Sequence, residues 1–256
     1  MKLNRYSDIL CSVLIPTRCR FTYLMDAVKS LQDRAHRPEQ IEIIVRLEEE
    51  DPDLVKTQAM LLNVVHRSKL KMITGPRGGG FADVGDMYNK MASISTGDWL
   101  LVFNDDCVMM TNDWDSLLSE FEPTVLKPDW LLSNSDYCII KNQKGRGNPF
   151  PIISRKLYKL MGRLSANTPH LDSYLERIAG PLGIEVQWLG IWIKHLRPVM
   201  KDETRQASAA TYPVTGPLFW RPPVQDQLKF DRSIVAAKLG IPNPTKFKQG
   251  GQEVKP

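Results

Sequence analysis

The sequence has few cysteines and no long apolar run. Its four cysteines, at positions 11, 19, 107 and 138, are neither paired in spacing nor dense. This pattern argues against a disulfide framework and favours a reducing compartment, so we expect a cytoplasmic protein. The longest apolar runs, such as Trp99 to Phe103, have about five residues, whereas a membrane-spanning helix needs roughly 20. The N-terminal residues also lack the apolar segment of a secretory signal. We therefore expect no membrane span.

Acidic residues are missing from one long segment. Residues 137–171 contain no Asp or Glu, although the whole chain carries 34 basic and 29 acidic residues. The cations of this basic segment are Lys141, Lys144, Arg146, Arg155, Lys156, Lys159 and Arg163. Such a segment can attract a diphosphate, an acidic glycan or a nucleic acid backbone. A solvated basic face explains it equally well.

Apolar runs and helical stripes alternate through the first half of the chain. The pattern predicts strands at 9–15, 41–47, 70–73 and 99–103. It predicts helices from the stripe Leu24, Ala27, Val28 and Leu31, over 53–65, and from the stripe Val84, Met87, Tyr88 and Met91. This alternation indicates an α/β domain with a mostly parallel sheet and helices on both faces. Ligands of such sheets bind beyond the carboxyl ends of the strands.

The second half is less regular and is interpreted as an extension of the same sheet. We expect strands at 130–133, 137–140, 184–189 and 191–195, a loop at 142–149, and helices at 155–162 and 172–182. Prolines become frequent beyond residue 213. The last segment therefore reads as a Pro-rich arm with one short helix at 231–239.

Two motifs, one acidic and one rich in glycine, lie where such a sheet places its ligands. Asn104, Asp105 and Asp106 directly follow a predicted strand, and carboxylates there suit Mg²⁺ or Mn²⁺ bound to substrate phosphates. The alternative is an ordinary Asn-Asp turn in which Asp106 caps a helix. Gly78 to Gly80 precede a helix, so their backbone can approach a ribose or phosphate, or form a simple flexible turn. The Lys and Ser/Thr of a P-loop are absent, which disfavours a nucleoside triphosphatase.

Three stretches of the sequence resemble parts of one protein family. Residues 11–20, Cys-Ser-Val-Leu-Ile-Pro-Thr-Arg-Cys-Arg, resemble the first strand and Pro-Thr-x-x-Arg turn of the inverting family-two GT-A glycosyltransferases. Residues 89–106 are similar to the helix, Gly-Asp turn, strand and DxD element of that family, and similarity returns over 150–195. The resemblance implies a GT-A (Rossmann-like) fold. It also implies a nucleotide-sugar-binding half at 1–110, an acceptor-binding and catalytic half at 111–212, and a Pro-rich C-terminal arm at 213–256.

The resemblance also implies roles for individual residues. The residues that it implies for binding of the nucleotide-sugar are Pro16, Thr17, Arg20, Glu48, Asn89, Asn104 and Asp105, and the glycine turn adds Gly79. Asp106 is the first candidate ligand of Mn²⁺ or Mg²⁺, Asp105 is the second, and His195 is a third. Asp172 is expected to be the catalytic base. Ordinary roles stay open, namely a solvated acidic loop at Glu48, an exposed helical Asn89, a structural His195 and a helix cap at Asp172.

The implied activity is metal-dependent transfer of a sugar, with inversion, from a UDP-sugar to a hydroxyl acceptor. The acceptor is expected to be a glycan, which can be acidic, or DNA bearing hydroxymethylpyrimidines, as for some viral glycosyltransferases. The alternatives are an inactive module that binds nucleotide-sugars or nucleic acid, and a nucleotidyltransferase. Trp130, Trp188, Trp192 and Trp220 can stack on a sugar or base, but apolar strand patterns place Trp188 and Trp192 in the core. The oligomeric state is not predicted.

Overall fold

The structure is a computed structural model that describes residues 7–77, 83–121, 138–141, 149–166, 171–182, 184–196, 222–240, 248–249 and 252–253. Its helices are α1 (Phe21–Asp33), α2 (Leu54–Val64), α3 (Val84–Ile94), α4 (Trp114–Ser119), α5 (Arg155–Met161), α6 (Leu171–Ala179) and α7 (Pro222–Lys238). Its strands are β1 (Cys11–Pro16), β2 (Ile41–Glu48), β3 (Lys69–Gly75), β4 (Trp99–Val102), β5 (Cys107–Met109), β6 (Cys138–Lys141), β7 (Ile152–Ser154), β8 (Glu185–Trp188), β9 (Ile193–His195), β10 (Lys248–Gln249) and β11 (Gln252–Glu253).

One seven-stranded sheet, in the order β3-β2-β1-β4-β7-β6-β8, organises the described residues. β1 is parallel to β2 and β4, and β2 is parallel to β3. β7 is antiparallel to both β4 and β6, whereas β6 and β8 are parallel. Within this sheet β7 alone therefore runs against the other strands. The predicted α/β architecture with a mostly parallel sheet is confirmed.

Helices cover both faces of the sheet. Successive residues of a strand point to opposite faces, so Val13 and Ile15 pack in one apolar layer and Leu14 in the other. α1, α2 and α4 contribute to the first layer, for example through Val28. α3, α5, α6 and α7 contribute to the second layer, for example through Tyr174. None of the helices in the described ranges is both long and apolar enough to cross a bilayer.

The predicted strands and helices of the first half agree closely with the observed ones. β1, β2, β3 and β4 overlap the four predicted strands, and the apolar stripes lie on α1 and α3. Burial explains this agreement, because all four stripe residues of α1 and three of the four on α3 are buried. The fourth, Val84, packs partly buried against the second layer.

In the second half, the predicted extension of the sheet is confirmed for β6 and β8. The strand predicted at 191–195 has a different partner: β9 pairs with β5 in a separate two-stranded ribbon. β5 has only three residues and follows the acidic pair directly, so no periodicity marks it in the sequence. The strand predicted at 130–133 and residues 142–148 of the predicted loop lie outside the described residues.

The helix predicted at 231–239 is longer than expected, since α7 begins at Pro222. Two prolines, Pro222 and Pro223, fit its first turn because the N–H groups there have no partner within the helix. Leu228, Val235 and Ala236 are buried in the second apolar layer. This described part of the predicted Pro-rich arm is therefore packed on the domain.

Candidate active site

Two turns meet at the carboxyl ends of the central strands. Pro16 ends β1, and the turn that follows carries Thr17 and Arg20 to the start of α1. Asn104–Asp106 follow β4, which is the parallel neighbour of β1. Because parallel neighbours end at the same edge, the two turns lie together where ligands of such sheets bind.

The acidic pair contacts the first turn directly. The Thr17 hydroxyl donates a 2.8 Å hydrogen bond to Oδ2 of Asp105. Nη1 of Arg20 lies 3.1 Å from Oδ1 of Asp105 and 3.3 Å from Oδ2 of Asp106. Asp105 and Asp106 are only 4% and 6% exposed, so these polar partners are needed to hold two buried carboxylates. The structure thus brings together four of the predicted site residues.

His195 reaches the same point from the β5–β9 ribbon. In this ribbon His195 is paired with Cys107, and the backbone N–H of Leu196 donates a 2.8 Å hydrogen bond to the carbonyl of Asp106. Nε2 of His195 lies 3.2 Å from Oδ1 of Asp106. The Phe150 ring packs edge-on against the imidazole at 5.1 Å between centroids, which fixes the orientation of the ring. The two predicted metal ligands are therefore neighbours.

The two carboxylates differ in acidity. Burial raises the pKa of Asp105 to about 6, and Arg20 and Thr17 only partly offset that effect. Burial also acts to raise the pKa of Asp106, but the hydrogen bond and charge of His195, together with Arg20, outweigh it and lower that pKa. Asp106 is therefore the firmly ionised member of the pair, as a metal ligand must be.

Three potential ligand atoms converge here. A carboxylate oxygen of Asp106, Sγ of Cys107 and a ring nitrogen of His195 lie within 4.8 Å of one another. Burial raises the pKa of the Cys107 thiol, so the thiol stays protonated and is a poor ligand. Asp106 and His195 remain as oxygen and nitrogen donors. They fit a divalent cation that takes few protein ligands and completes its shell with water and substrate phosphates.

Asn104 is held from the second layer of the domain. Its Oδ1 lies 2.6 Å from the hydroxyl of Tyr88 on α3, and that hydroxyl also lies 2.8 Å from the carbonyl of Phe103. A third carboxylate in place of Asn104 would add another negative charge beside the acidic pair. The neutral amide avoids this repulsion.

Glu48 is the last residue of β2 and also lies beside the first turn. Its Oε2 is 3.4 Å from Nε of Arg18, and its side chain is 4% exposed. Burial raises the pKa of Glu48, against the opposing effect of Arg18 and Arg46. Asp51, in the turn that follows β2, accepts a 3.2 Å hydrogen bond from the backbone N–H of Cys19. These two contacts join the turn after β2 to the turn after β1.

Two further predicted nucleotide-binding residues, Pro16 and Asn89, lie on β1 and α3. Pro16 is partly exposed at the end of β1. The amide of Asn89 makes three hydrogen bonds to backbone groups, at 2.8 Å to the N–H of Leu164, 3.1 Å to the N–H of Ser165 and 2.8 Å to the carbonyl of Ser165. Asn89 therefore ties α3 to the segment after α5. Gly79 lies outside the described residues.

Asp172 lies in the first turn of α6 and is partly exposed. α6 covers the second layer of the domain through Tyr174, Leu175 and Ile178. Within the described ranges, no contact joins Asp172 to the acidic pair. Its role as the base therefore stays a prediction.

The prediction for two of the tryptophans was wrong. Trp188 and Trp192 are 46% and 58% exposed, although both lie in apolar strand patterns. Ile191 and Ile193, on either side of Trp192 at the entry to β9, are buried, so the alternation along this segment turns Trp192 outwards. An apolar alternation marks a strand but does not say which face is covered. Trp130 and Trp220 lie outside the described residues.

The basic segment is partly used within the fold. Arg155 is 6% exposed, and its Nε donates a 2.8 Å hydrogen bond to the carbonyl of Gly97. Gly97 precedes β4, so this contact lies at the amino edge of the sheet, opposite the acidic pair. Arg163 lies 3.7 Å from Asp231 on α7. These two cations hold structural elements together.

The family is shown by a match over more than half of the chain. The family model described as glycosyl transferase family 2 matches residues 12–159. The chain therefore belongs to glycosyl transferase family 2 and is a glycosyltransferase, as the resemblance implied. A comparison with curated proteins finds no match.

Solved structures share the fold at low sequence identity. Mannosyltransferase PcManGT from Pyrobaculum calidifontis, in complex with GDP-Man and Mn²⁺, is similar with a TM-score of 0.60 at 13% identity, over 90% of this chain and 74% of that chain. GalNAc-T7 with UDP, GalNAc and Mn²⁺ gives 0.55 at 12%, over 91% and 55%. S. aureus TarS 1–349 with UDP-GlcNAc gives 0.50 at 13%, over 90% and 83%. In another TarS complex, with UDP, the chain covers only 38% of that chain. The GT-A fold is confirmed.

Proposed function

We propose that this chain is a metal-dependent inverting glycosyltransferase that moves a sugar from a UDP-sugar to a hydroxyl acceptor. One observation carries the proposal. Thr17 and Arg20 from one turn, Asp105 and Asp106 from another, and His195 from the ribbon converge at the carboxyl edge of the sheet. Similar folds have been crystallised with GDP-Man and Mn²⁺, with UDP-GlcNAc, and with UDP, GalNAc and Mn²⁺.

The donor would bind across the two turns. Pro16, Thr17 and Arg20 border the nucleotide, and Glu48 faces its base or ribose at the end of β2. Asn104 and Asp105 stand beside the ribose and diphosphate. UDP is the expected nucleotide, with the GDP of the mannosyltransferase complex as the alternative that the assay below must include.

Asp106 and His195 would hold Mn²⁺ or Mg²⁺. The bound cation supplies positive charge that stabilises the departing diphosphate. The remaining work falls to the chain itself. Nη1 of Arg20 contacts both acids, and the low exposure of its side chain strengthens its interaction with any anion at this edge.

Asp172 would act as the base. The acceptor oxygen attacks the anomeric carbon, the bond from that carbon to the diphosphate oxygen breaks, and the electron pair leaves with the diphosphate. Asp172 takes the proton of the acceptor hydroxyl. One displacement of this kind inverts the anomeric centre. The partial exposure of Asp172 leaves it accessible to an acceptor.

For the acceptor we favour a glycan over DNA. An exposed tryptophan next to an exposed lysine, Trp192 and Lys194, suits a sugar ring that carries negative charge. The DNA alternative rests on the basic segment, in which Arg155 and Arg163 already serve the fold. A gel shift on duplex DNA bearing hydroxymethylcytosine tests the alternative. Strong binding at low salt that fades as salt rises would favour DNA.

Release of UDP or GDP from a panel of nucleotide-sugars, with and without Mn²⁺, tests the proposal. We expect metal-dependent release that Asp106→Ala abolishes. Asp172→Asn should lower sugar transfer by about 10²-fold or more, since general bases contribute about 10²–10⁴-fold. Unchanged transfer by Asp172→Asn would remove the assignment of the base.

The same assay separates the two alternatives. Tight nucleotide binding without turnover would indicate an inactive binding module, which the amide at Asn104 keeps open. Family membership leaves little room for a nucleotidyltransferase.

The described cysteines Cys11, Cys19 and Cys107 are free thiols, which supports the expected cytoplasmic location.

A further inference from the structure

A single guanidinium nitrogen contacts both acids of the candidate site. Nη1 of Arg20 lies 3.1 Å from Asp105 and 3.3 Å from Asp106. The Arg20 side chain is 12% exposed, and those of the acids are 6% and 9% exposed. Charges that lie this close together and are this little exposed to solvent interact far more strongly than a surface ion pair does. A fixed monovalent cation is therefore built into the proposed metal site.

The two oxygens of Asp106 have separate partners. Oδ2 faces Arg20 at 3.3 Å, whereas Oδ1 faces Nε2 of His195 at 3.2 Å. A divalent cation between Oδ1 and His195 would leave the ion pair with Arg20 intact. Arg20 therefore has no steric reason to leave when the site is loaded, and its charge remains in place.

The charge of this cluster then sets what it can bind. Asp105 and Asp106 contribute two negative charges when ionised, and Arg20 cancels one of them. A bare divalent cation thus meets two protein donors, from Asp106 and His195, and a net charge of only −1, in which the charge of Arg20 is already counted. A cation already carried by a nucleoside diphosphate brings its own oxygen donors and its own negative charge, which Arg20 attracts.

Building on the proposed function, we propose that Arg20 is a counter-ion that makes the site take the divalent cation and the nucleoside diphosphate together and reject the cation alone. Arg20 acts in two ways: it neutralises part of the charge of Asp105 and Asp106, and it attracts the anionic diphosphate that carries the cation. The site would stay free of bare metal and become loaded only when a donor is present.

Equilibrium dialysis of Mn²⁺ against the full chain tests this inference, with and without UDP and with protein-free UDP as the reference. For the wild-type chain we expect Mn²⁺ to bind at least about tenfold more tightly with UDP, equivalent to roughly 1.4 kcal/mol of coupling. In Arg20→Met we expect binding of Mn²⁺ alone to tighten by about tenfold and the effect of UDP to shrink. Arg20→Lys keeps the charge and should restore wild-type behaviour.

Arg34→Met is the matched control. Arg34 follows α1 and is also held in place, with Nη1 donating hydrogen bonds to the carbonyl of Met110 at 3.0 Å and to Asn112 at 2.7 Å. Neither partner is a carboxylate. Its loss should leave both Mn²⁺ affinities unchanged.

Several outcomes would overturn the inference. The first is equal Mn²⁺ affinity with and without UDP in the wild-type chain. The second is a change of Mn²⁺ affinity in Arg34→Met as large as that in Arg20→Met. The third is weaker binding of Mn²⁺ alone in Arg20→Met than in the wild-type chain. Equal Mn²⁺ affinities in the wild-type chain would overturn the inference even if Arg20→Met does not fold. In that case Arg20→Gln, which also removes the charge, takes the place of Arg20→Met. Metal-dependent sugar transfer together with equal affinities would overturn this inference alone. Absence of Mn²⁺ binding under both conditions would overturn the proposed function as well.

Discussion

Glu42 is a buried carboxylate at the amino edge of the sheet, opposite the candidate site. It accepts hydrogen bonds from the hydroxyls of Ser12 at 2.6 Å and Thr96 at 3.0 Å, and from the backbone N–H of Thr96 at 2.9 Å. Nζ of Lys71 lies 2.6 Å away. Burial acts to raise the pKa of Glu42, but these partners outweigh it and the pKa is lowered. This acid joins β1, β2, β3 and the turn before β4.

Replacing Glu42 with Gln should destabilise the fold by about 1–3 kcal/mol at pH 7, because the amide loses the charged interaction with Lys71 and donates where an acceptor is needed. The folded-state pKa lies below the unfolded one, so the carboxylate stabilises the fold above the unfolded pKa and loses that effect as pH falls through the folded pKa. Urea denaturation at pH 7 and pH 3 should show the gap between wild type and variant closing in acid. A constant gap would contradict this account.

The sequence indicated that Asp106 and His195 would be partners, but it did not indicate which side chains Arg20 and Asn89 would contact. Asp106 and His195 were expected as a pair because of where they stand after their strands, and the structure places them 3.2 Å apart. The contact of Arg20 with both acids bridges 85 and 86 residues of sequence. No local pattern encodes such a contact. The amide of Asn89 makes the same point, because its partners Leu164 and Ser165 lie 75 and 76 residues further along the chain.

At the scale of elements, β1 and the turn before β4 approach each other more closely than a side chain allows. A Cβ on Gly97 would lie 2.6 Å from the backbone nitrogen of Ser12 and 2.8 Å from the carbonyl carbon of Cys11. The same turn is held by a 2.8 Å hydrogen bond from the Gly97 N–H to the Ser12 hydroxyl. The Gly-Asp turn of the sequence motif thus has a packing reason.

Gly97→Ala should therefore lower stability by at least about 2 kcal/mol, since the backbone of β1 cannot move without disturbing the central sheet. Thermal unfolding measures the loss, at about 2–4 °C per kcal/mol for a chain of this size. Gly180→Ala is the control, because no atom lies within 4 Å of the added Cβ. Equal melting temperatures for the two variants would refute the packing explanation.

The elements that the sequence predicted well are those with a long apolar period. α1 and α3 have stripes of buried residues, and β2 is buried along its whole length. β5 was missed because three residues carry no period, and its pairing with β9 arises only in the folded chain. Trp192 was misplaced because alternation gives two faces without saying which one is covered.

At the scale of the whole molecule, α7 is bound to the domain by a buried carboxylate. The hydroxyl of Tyr174 on α6 hydrogen-bonds to Asp231, which is 3% exposed. Gln227 donates a 2.8 Å hydrogen bond to the same carboxylate. The length and packing of α7 were not predictable, because prolines at its start look like a loop in the sequence.

Asp231→Ala should cost about 2–4 kcal/mol, because it leaves the Tyr174 hydroxyl buried without its partner. Chemical denaturation and limited proteolysis near α7 would show the effect. Asp226→Ala removes a carboxylate from the same helix that is 69% exposed and paired with Lys229, so it should change stability by less than about 0.5 kcal/mol. A similar small loss for both variants would mean that α7 is not fixed through Asp231.

The most direct test of the central claim is a crystal structure with Mn²⁺ and UDP, in which anomalous scattering locates the metal. The account predicts a Mn²⁺ peak bonded to the Asp106 carboxylate, the His195 imidazole and the diphosphate, with Arg20 still beside Asp105. A Mn²⁺–UDP complex bound elsewhere, with no metal bound to Asp106 or His195, would contradict it.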